Sequence, residues 1–279
     1  MPDSFPQLCC SFAERPSKVG VSYHNAAYRA LGLDYTYIAF SVQDAPSAVQ
    51  ALRTLGIRGC GVTMPHKQAV IPYLDHLDPA AAEMKAVNTI VNDDGLLTGY
   101  NFDWSAAKQA LQEATSLENK EAVVVGAGGA SRAVVYALVS SGARVRLYNR
   151  TLDKAVSLAE EFGLVSAYPL AELPQVGAYD IIVNTTSVGH HALGETVVPP
   201  ELIHPDAVVF DVVAEPLETT LLDQAKAKGA RCVAGHRMRL LQAAEQFRIY
   251  TGVEPPLDVM QAALLEASKP HLTTDDANR

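Results

Sequence analysis

Val123-Val124-Val125-Gly126-Ala127-Gly128-Gly129-Ala130-Ser131-Arg132-Ala133, followed one strand later by Asn149-Arg150-Thr151, decides how this chain is read. The valines form a short buried strand, and Gly126, Gly128 and Gly129 make a turn that opens directly into a helix. Such a turn leaves backbone N–H groups free at the helix N-terminus with no side chains in the way, which is what a pyrophosphate requires. A glycine-rich turn alone also serves ordinary strand-to-helix connections, so its weight comes from the strand before it and the triplet after it. A dinucleotide fold that takes NAD places an acidic residue at the end of that next strand, against the ribose 2′-hydroxyl. An amide, a guanidinium and a hydroxyl stand there instead and suit a 2′-phosphate. The expected cofactor is therefore NADP, held by Gly126, Ala127, Gly128, Gly129, Ala130, Asn149, Arg150 and Thr151, with Lys154 adding charge one turn into the following helix.

The 279 residues suit two domains of ordinary size. Lysine and arginine number 22 against 31 aspartates and glutamates, and a net charge of -9 repels phosphate backbones, so nucleic acid is not an expected partner. No apolar run approaches the ~20 residues needed to cross a bilayer. The N-terminus lacks the basic, apolar and cleavage segments of a secretory signal, and the expected location is the cytoplasm. Cys9, Cys10, Cys60 and Cys232 have no metal-ligand spacing, so reduced thiols and no metal are expected.

Two blocks emerge along the chain, giving an α/β class with two domains. Residues 1–104 alternate strands (Gln7–Phe12, Tyr35–Phe40, Ile57–Thr63) with helices (Tyr23–Leu31, Pro46–Leu55), the pattern of βαβ units and a mainly parallel sheet. Val87–Asn92 and Leu96–Tyr100, joined at Asp93-Asp94-Gly95, read as a hairpin on the edge of that sheet. Residues 105–238 carry candidate strands at Ala122–Val125, Arg144–Tyr148, Ile181–Asn184, Val208–Val212 and Arg231–Val233, with helices at 130–141, 151–162 and 217–228. That rhythm is a doubly wound, Rossmann-type domain. Residues 239–279 form C-terminal helices, Met238–Tyr250 and Leu257–Ala267, and His271–Arg279 reads as a disordered end.

Strand ends in a doubly wound sheet line the ligand crevice. Asn184-Thr185-Thr186-Ser187-Val188-Gly189 and Asp211-Val212-Val213-Ala214-Glu215-Pro216 occupy two such ends, so Thr185, Thr186, Val212 and, after the last strand, Gly235 are further cofactor candidates. In the first block, Val62-Thr63-Met64-Pro65-His66-Lys67 ends a strand at a turn that presents a lysine. Ala86-Val87-Asn88-Thr89 and Gly99-Tyr100-Asn101-Phe102-Asp103 add polar groups. Taken alone, Lys67 is also a solvated lysine and Asp103 a helix N-cap.

These motifs, in this order, resemble the shikimate dehydrogenase family, from His24-Asn25-Ala26-Ala27 to Gln242-Ala243-Ala244-Glu245-Gln246-Phe247. The resemblance implies a substrate domain, an NADP-binding domain and terminal helices that return to the substrate domain. It implies that Lys67 and Asp103 are the catalytic pair, with Lys67 acting either as base or as electrostatic stabiliser. Thr63, Asn88 and Gln242 match positions that hydrogen-bond a small cyclic hydroxy acid. The implied activity is NADP-dependent interconversion of shikimate and 3-dehydroshikimate or a close analogue. Quinate or an amino analogue of shikimate is the alternative substrate, a non-catalytic NADP-binding regulator the alternative role, and a monomer or homodimer the expected assembly. Methylene-tetrahydrofolate dehydrogenase-like chemistry fits the first-block motifs less well.

The departures from the family pattern concentrate on the substrate wall. Lys18, Val19, Gly20 and Val21 stand where the family carries a serine pair followed by proline. Ser11, Ser17 and Ser22 remain nearby, and Lys18 or Arg15 offers a cation, so Lys18 and Ser22 are taken as substrate-binding candidates. Gly61 replaces an asparagine, Phe102 a threonine, Trp104 a glycine, and Ala214-Glu215 a tyrosine–asparagine step, while His236, Arg237 and Arg239 interrupt a glycine- and leucine-containing segment. The expectation is a divergent member with altered or weaker substrate binding.

Overall fold

A computed structural model describes residues 5–163, 165–190 and 194–269, and the tail 271–279 lies outside the described residues. The chain opens with β1 (Gln7–Ala13), α1 (Lys18–Ala30), β2 (Tyr35–Ser41), α2 (Ala45–Thr54) and β3 (Gly59–Val62). β1 pairs in parallel with both β2 and β3. Parallel neighbours need a crossover, which α1 and α2 supply. Ser17 Oγ accepts from the Val19 N–H at 3.2 Å and starts α1 at Lys18, ahead of the expected Tyr23.

β4 (His76–Leu77), α3 (Pro79–Met84), β5 (Thr89–Asp93) and β6 (Leu96–Tyr100) follow. β5 and β6 form the expected antiparallel hairpin, turning at Asp94 and Gly95, both at positive φ. The hairpin is not the sheet edge, because β4 adds beyond β6 and gives the order β2-β1-β3-β5-β6-β4. At two residues, β4 is too short to show a period of its own.

Helix α4 (Asp103–Gln112) leads into β7 (Glu121–Val125), α5 (Gly129–Val139), β8 (Arg144–Asn149), α6 (Leu152–Phe162), β9 (Val165–Pro169), β10 (Ile181–Asn184), β11 (Val208–Asp211), α7 (Thr220–Ala227) and β12 (Arg231–Ala234). The second sheet is parallel throughout, in the order β12-β11-β10-β7-β8-β9. Numbered within the sheet this is 3-2-1-4-5-6 read from the other edge, the doubly wound arrangement, with its switch point between β7 and β10. Sequence reading missed β9, a short edge strand ending in proline, a residue that edges tolerate.

The last two helices are α8 (Gly235–Thr251) and α9 (Leu257–Ala267). Met238 and Leu241 of α8 sit in the core of the second sheet. Leu240, Ala243, Phe247 and Tyr250 pack with Cys9, Tyr28 and Tyr37 of the first, alongside Met260 and Leu264 of α9. One rod therefore belongs to both cores. Its approach to β3 is close enough that a Cβ on Gly59 would lie 2.2 Å from the Tyr250 ring. Cys9, Cys10 and Cys60 are buried in the first half, and burial pushes the Cys9 thiol up to about 12. Among the described residues no helix is long and apolar enough to cross a membrane.

Gly59→Ala should overpack this contact and lower stability by about 1–3 kcal/mol. The expected readout is a lower denaturant midpoint with an unchanged slope, and parental stability would show that the Tyr250 ring can yield.

Candidate active site

Asn101 decides where Asp103 points. Its Oδ1 accepts from the Asp103 N–H at 3.0 Å, and Phe102 occupies the cap position of α4. Asp103 is therefore not the N-cap but the first helical residue, and its carboxylate is left to meet Lys67. Lys67 Nζ donates to Asp103 Oδ2 at 2.6 Å, with side chains 24% and 14% exposed. The lysine is set by the turn after β3. The His66 N–H donates to the Thr63 carbonyl at 2.9 Å, the His66 ring meets the Val42 carbonyl at 2.9 Å, and the Val87 N–H donates to the Lys67 carbonyl at 2.8 Å.

The pair opens into a cavity of about 450 Å³ between the two sheets. Thr63, Asn88 and Gln242 line it, as do Ala130, Thr185, Thr186, Val212 and Gly235 from the dinucleotide-type half. Asn88 is 3% exposed, its Oδ1 accepts from Thr89 Oγ1 and the Phe102 N–H, and its Nδ2 has no acceptor among the described residues. An oxygen of a ligand is the natural partner for that amide. Gln246, by contrast, is committed to the protein, donating to Thr89 Oγ1 at 2.9 Å and the Asn88 carbonyl at 3.2 Å.

Lys18 and Ser22 do not line this cavity. Lys18 is exposed at the first turn of α1, and the Ser22 hydroxyl donates back to the Lys18 carbonyl at 3.1 Å. The same segment contributes Ser17, Gly20 and Tyr23 instead, and β1 contributes Ser11. Sequence reading also missed Tyr37, Met238, Arg239 and Gln246. The signal for the last three was available, because Gly235, Met238 or Arg239, Gln242 and Gln246 recur at helical spacing along α8.

On the other side, Gly126 has φ +115°, and a Cβ there would lie 2.5 Å from Thr185 Oγ1. Ser131 Oγ donates to the Gly126 carbonyl at 2.6 Å and also meets the Thr185 hydroxyl. Gly128 and Gly129 face open space within 4 Å, and α5 starts with no side-chain cap. Its first N–H groups are thus available to an anion, and the cradle fits a pyrophosphate. At the end of β8, Arg150 and Thr151 are exposed and Asn149 is fixed by donating from Nδ2 to the Thr151 carbonyl at 2.8 Å. Arg150 pairs with no carboxylate among the described residues. Ala127 and Lys154 line a second, shallower depression of about 280 Å³ between α5 and α6. Asp211 does not face the cavity. It is buried, accepts from Thr219 Oγ1 at 2.7 Å, Asn184 Nδ2 at 3.0 Å and the Val213 N–H at 3.1 Å, and burial raises its pKa. Its role is to hold the loops that carry Thr186 and Val212.

Family models match three stretches of the chain. The shikimate dehydrogenase substrate binding domain matches residues 18–90, the shikimate / quinate 5-dehydrogenase model residues 106–218, and the shikimate 5'-dehydrogenase C-terminal domain residues 235–265. A shikimate dehydrogenase (NADP(+)) from Methanothermobacter thermautotrophicus is 44% identical over 86% of this chain and 89% of its own. The chain belongs to the shikimate dehydrogenase family. A shikimate dehydrogenase-like protein from Haemophilus influenzae is 38% identical over 92% of this chain and 95% of its own. The crystal structure of a shikimate dehydrogenase in complex with NADP+ superposes with a TM-score of 0.88 at 36% identity, covering 95% of this chain and 96% of that one. Asp103 falls between the first two family matches, so its place beside Lys67 rests on the coordinates.

Behind the cavity wall, His24 is fully buried and stacks on Tyr37 with ring centroids 4.3 Å apart. Burial pulls its pKa down to about 3. The unfolded chain binds this proton below about pH 6.5 while the folded protein does not until about pH 3. Stability present above pH 6.5 is therefore lost as pH falls through that window, at up to about 1.4 kcal/mol per pH unit. His24→Phe should flatten the acid limb of stability against pH by up to one proton, and parallel limbs for the two proteins would reject this assignment.

Proposed function

We propose that this chain is an NADP-dependent oxidoreductase that interconverts a ring hydroxyl and a ring ketone on a small carboxylated substrate, shikimate and 3-dehydroshikimate or a close analogue. The observation that carries the reading is the Lys67–Asp103 contact of 2.6 Å in a cavity shared with Thr185, Thr186, Val212 and Gly235. A proton-transfer pair and the strand ends that receive a dinucleotide face one space. Residues 1–104 then act as the substrate domain, 105–238 as the NADP domain, and 239–279 as helices returning to the first.

Bound NADP supplies a nicotinamide carbon that accepts or returns a hydride. When hydride leaves the carbinol carbon, the hydroxyl proton must leave with it. Lys67 and Asp103 are placed to take that proton and to hold the developing negative oxygen. In the reverse direction the Lys67 ammonium gives a proton to the oxygen as the ketone is reduced. The Asn88 Nδ2 donor, Thr63 and Gln242 orient the remaining ring hydroxyls. Arg150, Asn149, Thr151 and Lys154 take the 2′-phosphate, and the uncapped start of α5 takes the pyrophosphate.

Substrate selectivity differs from that of a typical member. Gly20, Gly61 and Ala214 carry no polar side-chain atoms where the family pattern has polar groups, and all three line the cavity. Quinate or an amino analogue of shikimate is the alternative substrate. Retention of both members of the Lys67–Asp103 pair disfavours a purely regulatory NADP-binding role.

Lys67→Ala and Asp103→Asn should each lower kcat by about 10²–10⁴-fold while leaving NADP affinity nearly unchanged. Unchanged kcat in both would remove the assigned roles. Arg150→Ala should weaken NADP binding by about 1.5–3 kcal/mol with little effect on NAD, and equal losses for both cofactors would displace it from the 2′-phosphate.

A further inference from the structure

Among the described residues lining the main cavity, two cations stand out, Lys67 and Arg239, and they are paired differently. The partner of Lys67, Asp103, shares the cavity, so the two together add almost no net charge to it. The partner of Arg239 is Glu215, which is not part of the lining. Glu215 Oε1 accepts from Arg239 Nη1 at 2.5 Å, and among the described residues no other group takes the remaining N–H donors of the guanidinium. A guanidinium has five such donors, and a carboxylate uses two in parallel, so a ligand-facing edge of the fork is left over.

Arg239 lies one helical turn from Gln242 on the α8 stripe, between Gly235 at the dinucleotide end and Gln246 at the floor of the first sheet. Tyr23 lines the same cavity and is 6% exposed, and its hydroxyl has no hydrogen-bond partner among the described residues. A Cβ added at Gly20 would lie 3.5 Å from that hydroxyl. The tyrosine oxygen thus stands next to the space that a serine at position 20 would fill. Burial raises the Tyr23 pKa and the positive charge of Arg239 works against that rise, so Tyr23 is a neutral donor within the electrostatic reach of the guanidinium.

We infer that Arg239 is the carboxylate anchor of this protein, with the Tyr23 hydroxyl as a second donor and Glu215 as the positioning residue that fixes the guanidinium. The inference rests on the proposed function, for it assigns the acidic group of that substrate. The anion is gripped from α8, which carries the cation that Lys18 and Arg15 do not bring to the cavity. Arg239 and Glu215 both stand where the family pattern has residues of a different kind.

The test compares shikimate with its methyl ester, which keeps the ring hydroxyls and removes the charge. In Arg239→Leu, KM for shikimate should rise about 10- to 100-fold with kcat little changed, while KM for the ester and the affinity for NADP stay near parental values. Arg239→Lys should recover part of the loss, and Glu215→Gln should give a smaller rise confined to the acid. A merely structural bridge between α8 and the loop after β11 would shift acid and ester alike, and that result overturns the anchor. If the parent protein turns over none of shikimate, quinate and the amino analogue of shikimate with NADP, the oxidoreductase reading fails. The anchor is then judged by titrating shikimate and the ester into the NADP-bound parent and Arg239→Leu proteins by ligand-observed NMR. Preferential binding of the acid, lost in the variant, sustains it. Equal binding of acid and ester, or binding of neither, overturns it.

Discussion

Helix α8 is the constraint on which the site depends. Its first residue, Gly235, lies so close to the Val212 and Val213 carbonyls that a Cβ would fall within 2.4–2.5 Å of them. Near its other end, Tyr250 presses on Gly59 of β3. A rigid helix of 17 residues is therefore seated on backbone at both ends, once on each half of the molecule. The distance across the cavity is set by this rod and by α4, whose Ala106, Ala107, Ala110 and Leu111 are buried in the core of the second sheet. Trp104 at the start of α4 meets Tyr136 of α5 edge-on, at 90° and 5.2 Å, on the same side of the junction. Small residues let the helices approach, and apolar burial keeps them there.

Charge is distributed with equal economy. A protein with a net charge of -9 repels anionic ligands at long range, so any acid it binds must find fixed donors at short range. The uncapped N-terminus of α5 and Arg150 offer such donors to phosphate, and the interior of the cavity concentrates others where water is partly excluded. Buried carboxylates are treated differently. Asp211 is surrounded by a hydroxyl, an amide and a backbone N–H, which satisfy its oxygens without any cation. It shapes two loops and takes no part in the cavity lining.

The dinucleotide half was legible from sequence because its strands are covered on both faces and so carry unbroken apolar runs such as Ala122–Val125. The strands at its edge and at the edge of the first sheet were not. β9 ends in Pro169 at the sheet edge, and β4 pairs through only two residues. The pairing of Lys67 with Asp103 was legible only through the family resemblance, since 36 positions separate them and no local period links them. Arg239 interrupts the family pattern, but the sequence does not place it, because its facing depends on the register of α8 against two cores. The segment after β1 misled for a local reason. A capped helix starting at Lys18 turns that lysine outward and brings Tyr23 inward, and the Ser17 cap fixes this phase.

The lone amide hydrogen-bond donor at Asn88 has a consequence for selectivity. A buried N–H group without an acceptor costs about 1–3 kcal/mol. Any molecule that lodges a methylene against it inherits that penalty, whereas one with a correctly placed oxygen cancels it. Discrimination at this point therefore works by refusal, with the wrong guest kept out by a debt in the wall it would have to leave outstanding.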